Sequence, residues 1–236
     1  FPEAIDAYLR SSVLGRAVKR KILAFNLVNL RLFGCGPHQK VDDRPFGGGA
    51  GMVLMVEPIC RAVENIKRKI KGKKGNPARI KIILFSAKGK PFNQKLAYAW
   101  AKRYNHLILI AGRYEGVDER VRKALKAEEI SIGPYVLTDG DAAAMVVASA
   151  VSRLMPGAIK LESLAEESHW NLLLSEERDT LAGPPAGGGL EYPHYTRPEL
   201  FRYKGKIYRI PIILRTGDHK KIAEWRRLQS RITRST

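Results

Sequence analysis

Residues 107–157 constrain the fold of this 236-residue chain more than any other stretch. They read LILIAGRYEGVDERVRKALKAEEISIGPYVLTDGDAAAMVVASAVSRLMPG. An apolar run ends in Gly112, and a charged helix-like segment follows. A second short run ends in Gly133. Another short run, an Asp139-Gly140-Asp141 turn and a strongly apolar helical segment complete the stretch. Two strand-to-loop junctions and a buried helix within some fifty residues point to an α/β sheet, whose ligands sit outside the carboxyl ends of its strands.

The remainder of the chain extends that alternation. Ala4, Ile5, Tyr8, Leu9 and Val13 recur at three- and four-residue steps, predicting a helical region over 3–25. Residues 22–32 are short and partly β-like. The glycine-rich segment 34–54 reads as a loop, and glycine there lets a ligand approach the backbone. Helix 54–70, strand 80–85, helix 92–104 and strand 107–111 follow. After them come helix 117–127, strand-like 130–132 and 135–137, and helix 141–154. The pattern predicts a largely parallel sheet. Beyond Pro156-Gly157 the sequence turns polar, then rich in Gly and Pro at 183–189. This predicts an interdomain linker over 159–191 between a main domain, 1–158, and a compact unit, 192–236. In that last unit Asp218 reads as the N-cap of a helix over 218–231, with Ile222, Trp225 and Leu228 on one face.

Charge narrows the function. The 42 Lys+Arg against 23 Asp+Glu leave a formal net charge of +19, which calls for a polyanionic partner, nucleic acid first. Cys35 and Cys60 make no disulfide framework, and a reduced cytoplasmic setting is expected. No apolar run approaches the length of a membrane span. His38, His106, His169, His194 and His219 lie far apart and no CxxC occurs, so no metal site is predicted. GxxxxGK[ST] is absent, as is a GxGxxG after a strand, which argues against ATP hydrolysis and a dinucleotide site. Instead three glycine loops, 86–89, 112–116 and 133–140, follow three apolar runs. Either their backbone N–H and C=O groups serve an adenine edge, or the three are ordinary βα turns.

Six segments in one order carry a resemblance: VDDRPFGGGAGMVL (41–54), AGRYEGVDERV (111–121), SIGPYVLTDGD (131–141), VSRLMPG (151–157), EYPHYTRPE (191–199) and GDHKKIAEWR (217–226). Together they resemble the bacterial tRNA (guanine-N1)-methyltransferases of the TrmD type, in the SPOUT class, over nearly the whole chain. The resemblance implies an α/β fold: a trefoil-knotted parallel sheet with helices on both faces, plus a small C-terminal helical domain that binds tRNA. It implies S-adenosylmethionine as methyl donor, bent in the knot, and methylation of the tRNA guanine 3′ of the anticodon at N1. The active site would lie between the subunits of a homodimer. Magnesium assists members of the family, but no ligand set for Mg2+ is identifiable in the sequence.

By position, Phe85, Ser86, Gly112, Glu115, Ile132, Gly133, Tyr135, Leu137 and Gly140 would surround the donor. Arg153 matches the catalytic arginine. Asp42, Arg44 and the glycine loop after them match a segment near the guanine. His194, Tyr195 and Arg197 open the tRNA-gripping domain. Departures stand beside these matches. The family's general-base Asp aligns with Ser168, so the carboxylate is expected from Glu167, one residue away. Asp139 stands where the family has glycine, either approaching the donor's cationic end or disturbing the loop. Asp141 replaces a Glu. The family strand before Phe1 is missing and the C-terminal tail is short, which leaves a truncated protein as one expectation. A noncatalytic RNA-binding protein on the same scaffold is the alternative class.

Overall fold

The structure, a computed structural model, describes residues 2–71, 78–159 and 192–229. The chain divides into two compact units, 1–159 and 160–236.

In the first unit a three-stranded parallel sheet runs in the order β4-β3-β5, formed by β3 (Ile80–Pro91), β4 (His106–Ile110) and β5 (Glu128–Ser131). Before it come α1 (Pro2–Leu9), α2 (Ser12–Lys19), a two-stranded ladder of β1 (Asp42–Asp43) with β2 (Val53–Leu54), and α3 (Val56–Lys71). Helices α4 (Gln94–Arg103) and α5 (Glu119–Leu125) link the sheet strands, and α6 (Asp141–Ser152) closes the unit.

Apolar runs IKIILF and HLILI form strands buried on both faces, as a parallel sheet covered by helices requires. Side chains alternate across each strand. Ile82, Leu84, Ile108 and Ile110 pack with Ile59 and Val63 of α3 and Val121 and Leu125 of α5. Ile83 and Phe85 face the other way, against Ala97 and Trp100 of α4 and Ala143, Ala144, Val147 and Val151 of α6. The chain steps from β3 to β4 by way of α4 on one face. It then steps back past β3 to β5 by way of α5 on the other face. Reversing direction while changing face keeps both crossovers the same hand. Asn93 and Asp118 start α4 and α5 by accepting the N–H of Leu96 (3.0 Å) and of Arg120 (2.9 Å).

Several expectations need correction. The helical region 3–25 is two helices, broken where Ser12 takes φ +47° and the Ser11 hydroxyl bonds the Tyr8 carbonyl at 2.7 Å. Serine offers the backbone a local alternative to helical bonding there. Residues 22–29 form no strand, and a short 3-10 helix, Leu30–Phe33, follows. The run 135–137 is not a strand either: no neighbour pairs it, and Tyr135, Val136 and Leu137 stand exposed. The loop 34–54 is closed at its base, with Asp42 opposite Leu54 and Asp43 opposite Val53.

The second unit is not wholly helical. β6 (Leu200–Tyr203) and β7 (Lys206–Arg209) form an antiparallel hairpin, followed by a 3-10 helix, Ile212–Arg215, and by α7 (His219–Gln229). The hairpin turns on Lys204-Gly205, with φ +46° and +76°, the paired positive values of a tight two-residue loop. Asp218 caps α7 as expected, accepting the N–H groups of Lys220 and Lys221, each at 3.1 Å. Those backbone N–H bonds, led by that of Lys221, hold its carboxyl below the usual carboxylate range.

Candidate functional site

The irregular segment 86–89 within β3 and the loops 111–118 and 132–140 beyond β4 and β5 lie along one edge of the sheet. The first leaves the ladder and returns to it. Phe85 and Lys90 both register with Ile130, so Ser86 to Gly89 project as a loop from the middle of the strand. Gly89 is required where the chain rejoins, since a Cβ would lie 2.6 Å from the Ile130 backbone N and C atoms.

The other two loops meet. Gly140 N–H donates to the Gly112 carbonyl at 2.7 Å. β4 and β5 flank β3 on opposite sides, so residues 132–140 pass over the carboxyl end of the central strand to reach Gly112. At the contact, a Cβ on Gly140 would lie 2.7 Å from Gly112 N and 2.9 Å from Ala111 Cα. Only glycine lets two backbones approach this closely.

The glycine-rich loop is fastened to the same place. Glu115 N–H donates to Met52 O at 3.1 Å, Leu54 N–H to Gly116 O at 3.0 Å, and Asp118 N–H to Leu54 O at 3.0 Å. Gly51, at φ +81°, faces the Glu115 carboxylate, where a Cβ would meet Oε1 at 2.5 Å. Asp42, half-buried, sits in β1 at the base of this loop. Exposed Arg44 is two residues farther out, its N–H donating to Asp43 Oδ1 at 2.8 Å.

Sequence-predicted donor residues thus fall into groups. Gly112 and Gly140 meet through a backbone bond, while Glu115 is bonded to Met52 of the glycine-rich loop. Tyr135 folds over Gly133, its hydroxyl donating to Ile132 O at 3.2 Å, while a Cβ on Gly133 would collide with the ring. Ser86 is half-buried and its Oγ accepts the N–H of Lys88 at 3.4 Å. Phe85 is buried among Ile83, Trp100 and Ile130 and supports the loops from beneath. Ile132 packs on that core from its edge, and Leu137 is exposed. Arg153 is not among them. It caps the carboxyl end of α6, and twelve residues rise about 18 Å, so α6 separates Arg153 from Gly140. Glu167 and Ser168 lie outside the described residues. His194, Tyr195 and Arg197 belong to the second unit. There Tyr195 packs on Trp225 (6.3 Å between ring centroids) and His194 on Tyr192 (4.6 Å).

One group was missed. Arg113 forms an ion pair with Asp141 and lies 3.6 Å from Asp139, while Asp139 Oδ1 accepts the N–H of Asp141 at 2.9 Å. Asp139 therefore does not disturb the turn; it caps the start of α6, where the helix dipole favours negative charge. The signal lay in the sequence as a cation directly after Gly112 and acids either side of Gly140. Removing the cap and the charge-assisted contact together in Asp139→Ala should cost about 1–2 kcal/mol of stability, and Asp139→Asn less. Thermal unfolding compares the two, and equal melting temperatures for wild type and Asp139→Ala would refute the bracing.

At the carboxyl edge of the sheet the segments 112–116 and 133–140 meet through the Gly140–Gly112 backbone bond. Among the described residues no group of three or more His, Cys, Asp or Glu is placed to hold a metal ion, and no helix is long and apolar enough to cross a membrane. The arrangement is that of an α/β protein with a parallel sheet and glycine loops at its carboxyl edge, the edge at which ligands of such sheets sit.

Comparison with known proteins narrows this class. The family model described as tRNA (Guanine-1)-methyltransferase TrmD matches residues 1–236. A tRNA (guanine-N(1)-)-methyltransferase of Carboxydothermus hydrogenoformans is 45% identical over 230 residues, covering 98% of this chain and 79% of that protein. The Moorella thermoacetica protein of the same name is also 45% identical, over 98% of this chain and 82% of its own length. That of Microcystis aeruginosa is 41% identical over 96% and 86%. The chain belongs to the tRNA (guanine-1)-methyltransferase TrmD family.

Proposed function

We propose that this chain transfers a methyl group from S-adenosylmethionine to N1 of a tRNA guanine, the guanine 3′ of the anticodon. The observation that carries the reading is the backbone closure of Gly140 on Gly112 over the end of β3, in a chain matched by the family from residue 1 to 236. The donor rests against Ser86, Gly112, Glu115, Gly133, Tyr135, Leu137 and Gly140, held mainly by backbone groups. The passage of 132–140 across the strand end supports a trefoil knot threaded there.

Guanine N1 carries a proton and is a poor nucleophile at neutral pH. A positioned carboxylate accepts that proton as the methyl moves. Charge then grows toward O6, where the Arg153 guanidinium donates charge-assisted hydrogen bonds. Asp42 and Arg44 border the guanine. His194, Tyr195, Arg197 and the basic α7 grip the tRNA backbone. No step is assigned to Mg2+, because the described residues offer no ligand set for it. Two observations support a homodimer. Arg153 is a helix length away from the donor loops. Apolar side chains of the first unit also stand open, with Phe46 99%, Val136 87% and Leu32 73% exposed.

Methyl transfer to tRNA transcripts bearing guanine, or another base, next to the anticodon tests the reading. Transfer dependent on that guanine is expected, and transfer to neither transcript overturns it. Binding without transfer would instead assign the chain to noncatalytic RNA binding, which Ser168 at the expected carboxylate position favours. Glu167 is the proposed proton acceptor. Glu167→Gln is expected to abolish turnover with donor binding intact; undiminished turnover would exclude the residue.

A further inference from the structure

The hairpin of the second unit presents a surface that methyl-transfer chemistry does not use. Phe201 pairs with Tyr208 and Tyr203 with Lys206 across the ladder. Alternation along each strand places Phe201, Tyr203, Lys206 and Tyr208 on one face, with Leu200, Arg202, Ile207 and Arg209 on the other. The Phe201 and Tyr203 rings lie nearly parallel, 11° apart with centroids 6.1 Å apart, and Tyr208 stands 6.3 Å from Phe201. All three are about half open to solvent, at 53%, 53% and 52%. The Lys204 ammonium sits 5.4 Å from the centre of the Tyr203 ring. A groove of about 300 Å³ runs from this face toward Tyr195, lined also by Arg197 and Arg209.

We propose that this face is a stacking platform for unpaired nucleotides of the RNA substrate. It rests on the reading of the C-terminal unit as the part that grips RNA. Their bases lie on Phe201, Tyr203 and Tyr208, and their phosphates meet Lys204, Lys206 and Arg197. Three half-open rings on a two-stranded hairpin contribute little to folding, yet a ring face suits any base. Bases inside a duplex have no free faces, so the nucleotides must be unpaired. Charge selects the partner: from Arg197 onward the chain holds twelve Lys/Arg against three Asp/Glu, complementary to phosphate and repelling a second copy of itself.

The test uses the full chain with a tRNA transcript and a short single-stranded oligonucleotide, with donor binding and sedimentation as controls. Phe201→Ala and Tyr208→Ala should each weaken RNA binding about tenfold without changing its salt slope, because a stacking ring releases no counterion. Tyr208→Phe should retain affinity, since the ring face remains. The oligonucleotide should compete with tRNA for the wild type and poorly for the alanine variants. Unchanged affinity in Phe201→Ala with Tyr208→Ala overturns the platform, as does loss of self-association in that variant, which makes the face a contact between copies. Arg226→Ala with Arg227→Ala tests the underlying reading separately. If it flattens the salt slope while the hairpin variants bind normally, the unit grips RNA without this platform. If neither set changes binding, the unit does not grip RNA and both readings fail.

Discussion

Replacing Arg153 with alanine is expected to slow methyl transfer by about 10²–10³-fold, the effect of removing one preorganised donor from a site of developing charge. Donor affinity should not change, because Arg153 stands at the opposite end of α6 from Gly140. Loss of the N1 proton to the carboxylate leaves negative charge shared between N1 and O6, more than O6 carries in the bound nucleotide. A guanidinium aimed at O6 therefore binds the transition state better than the substrate, and its removal appears in rate rather than in binding. Arg153→Lys should recover little, since an ammonium is a single point charge without the planar fork. Single-turnover transfer to a tRNA transcript gives the rate, and calorimetric titration with S-adenosylmethionine gives the affinity. A rate for Arg153→Ala close to that of wild type would remove the residue from the chemistry. Lost donor affinity would mean instead that the end of α6 supports the loops.

The sheet was legible because its signal is local. In IKIILF and HLILI every second side chain enters a different core, and both cores are apolar, so the runs are continuous. Loop positions were legible too, since Gly112, Gly133 and Gly140 punctuate those runs. What the loops do to one another was not. The Gly140–Gly112 bond joins residues 28 positions apart, and no periodicity carries such a contact. Arg113 and its two aspartates were hidden for the same reason. The hairpin at 200–209 was missed differently. Its alternation is short, basic residues interrupt it, and its turn is Lys204-Gly205 rather than the usual Asn-Gly. The break between α1 and α2 was overlooked because the apolar spacing of 4, 5, 8, 9 and 13 continues across it while the serines redirect the backbone. Only the match of whole segments to a family reached the proposed chemistry. It assigned residues on both sides of the 18 Å of α6 without showing how they meet.

Gly140→Ala separates these two kinds of information. At φ −81° and ψ −4° the backbone of Gly140 is one that alanine adopts readily. By conformational entropy alone the substitution would stabilise the protein by about 0.4–1 kcal/mol. The obstacle is steric: the new Cβ would lie 2.7 Å from Gly112 N, 2.9 Å from Ala111 Cα and 3.1 Å from Ala111 C. All three are backbone atoms of the strand end, so no flexible side chain can yield. Either the 2.7 Å bond from Gly140 to Gly112 breaks, or α6 shifts away from Val147 and Val151's neighbours in the core. Overpacking of this kind costs about 1–3 kcal/mol, and more when backbone must move. For a chain of this size each kcal/mol lowers the melting temperature by about 2–4 °C. Donor affinity should fall with it, because the closure of the two loops over β3 is the proposed floor of the donor site. Gly36→Ala is the control. Its φ of +68° is strained for alanine, but nothing lies within 4 Å of the new Cβ and the donor loops are elsewhere. The control should lose some stability and keep donor affinity, whereas Gly140→Ala should lose both. A Gly140→Ala protein with the melting temperature and donor affinity of wild type would show that the two loops are not held together as the structure places them.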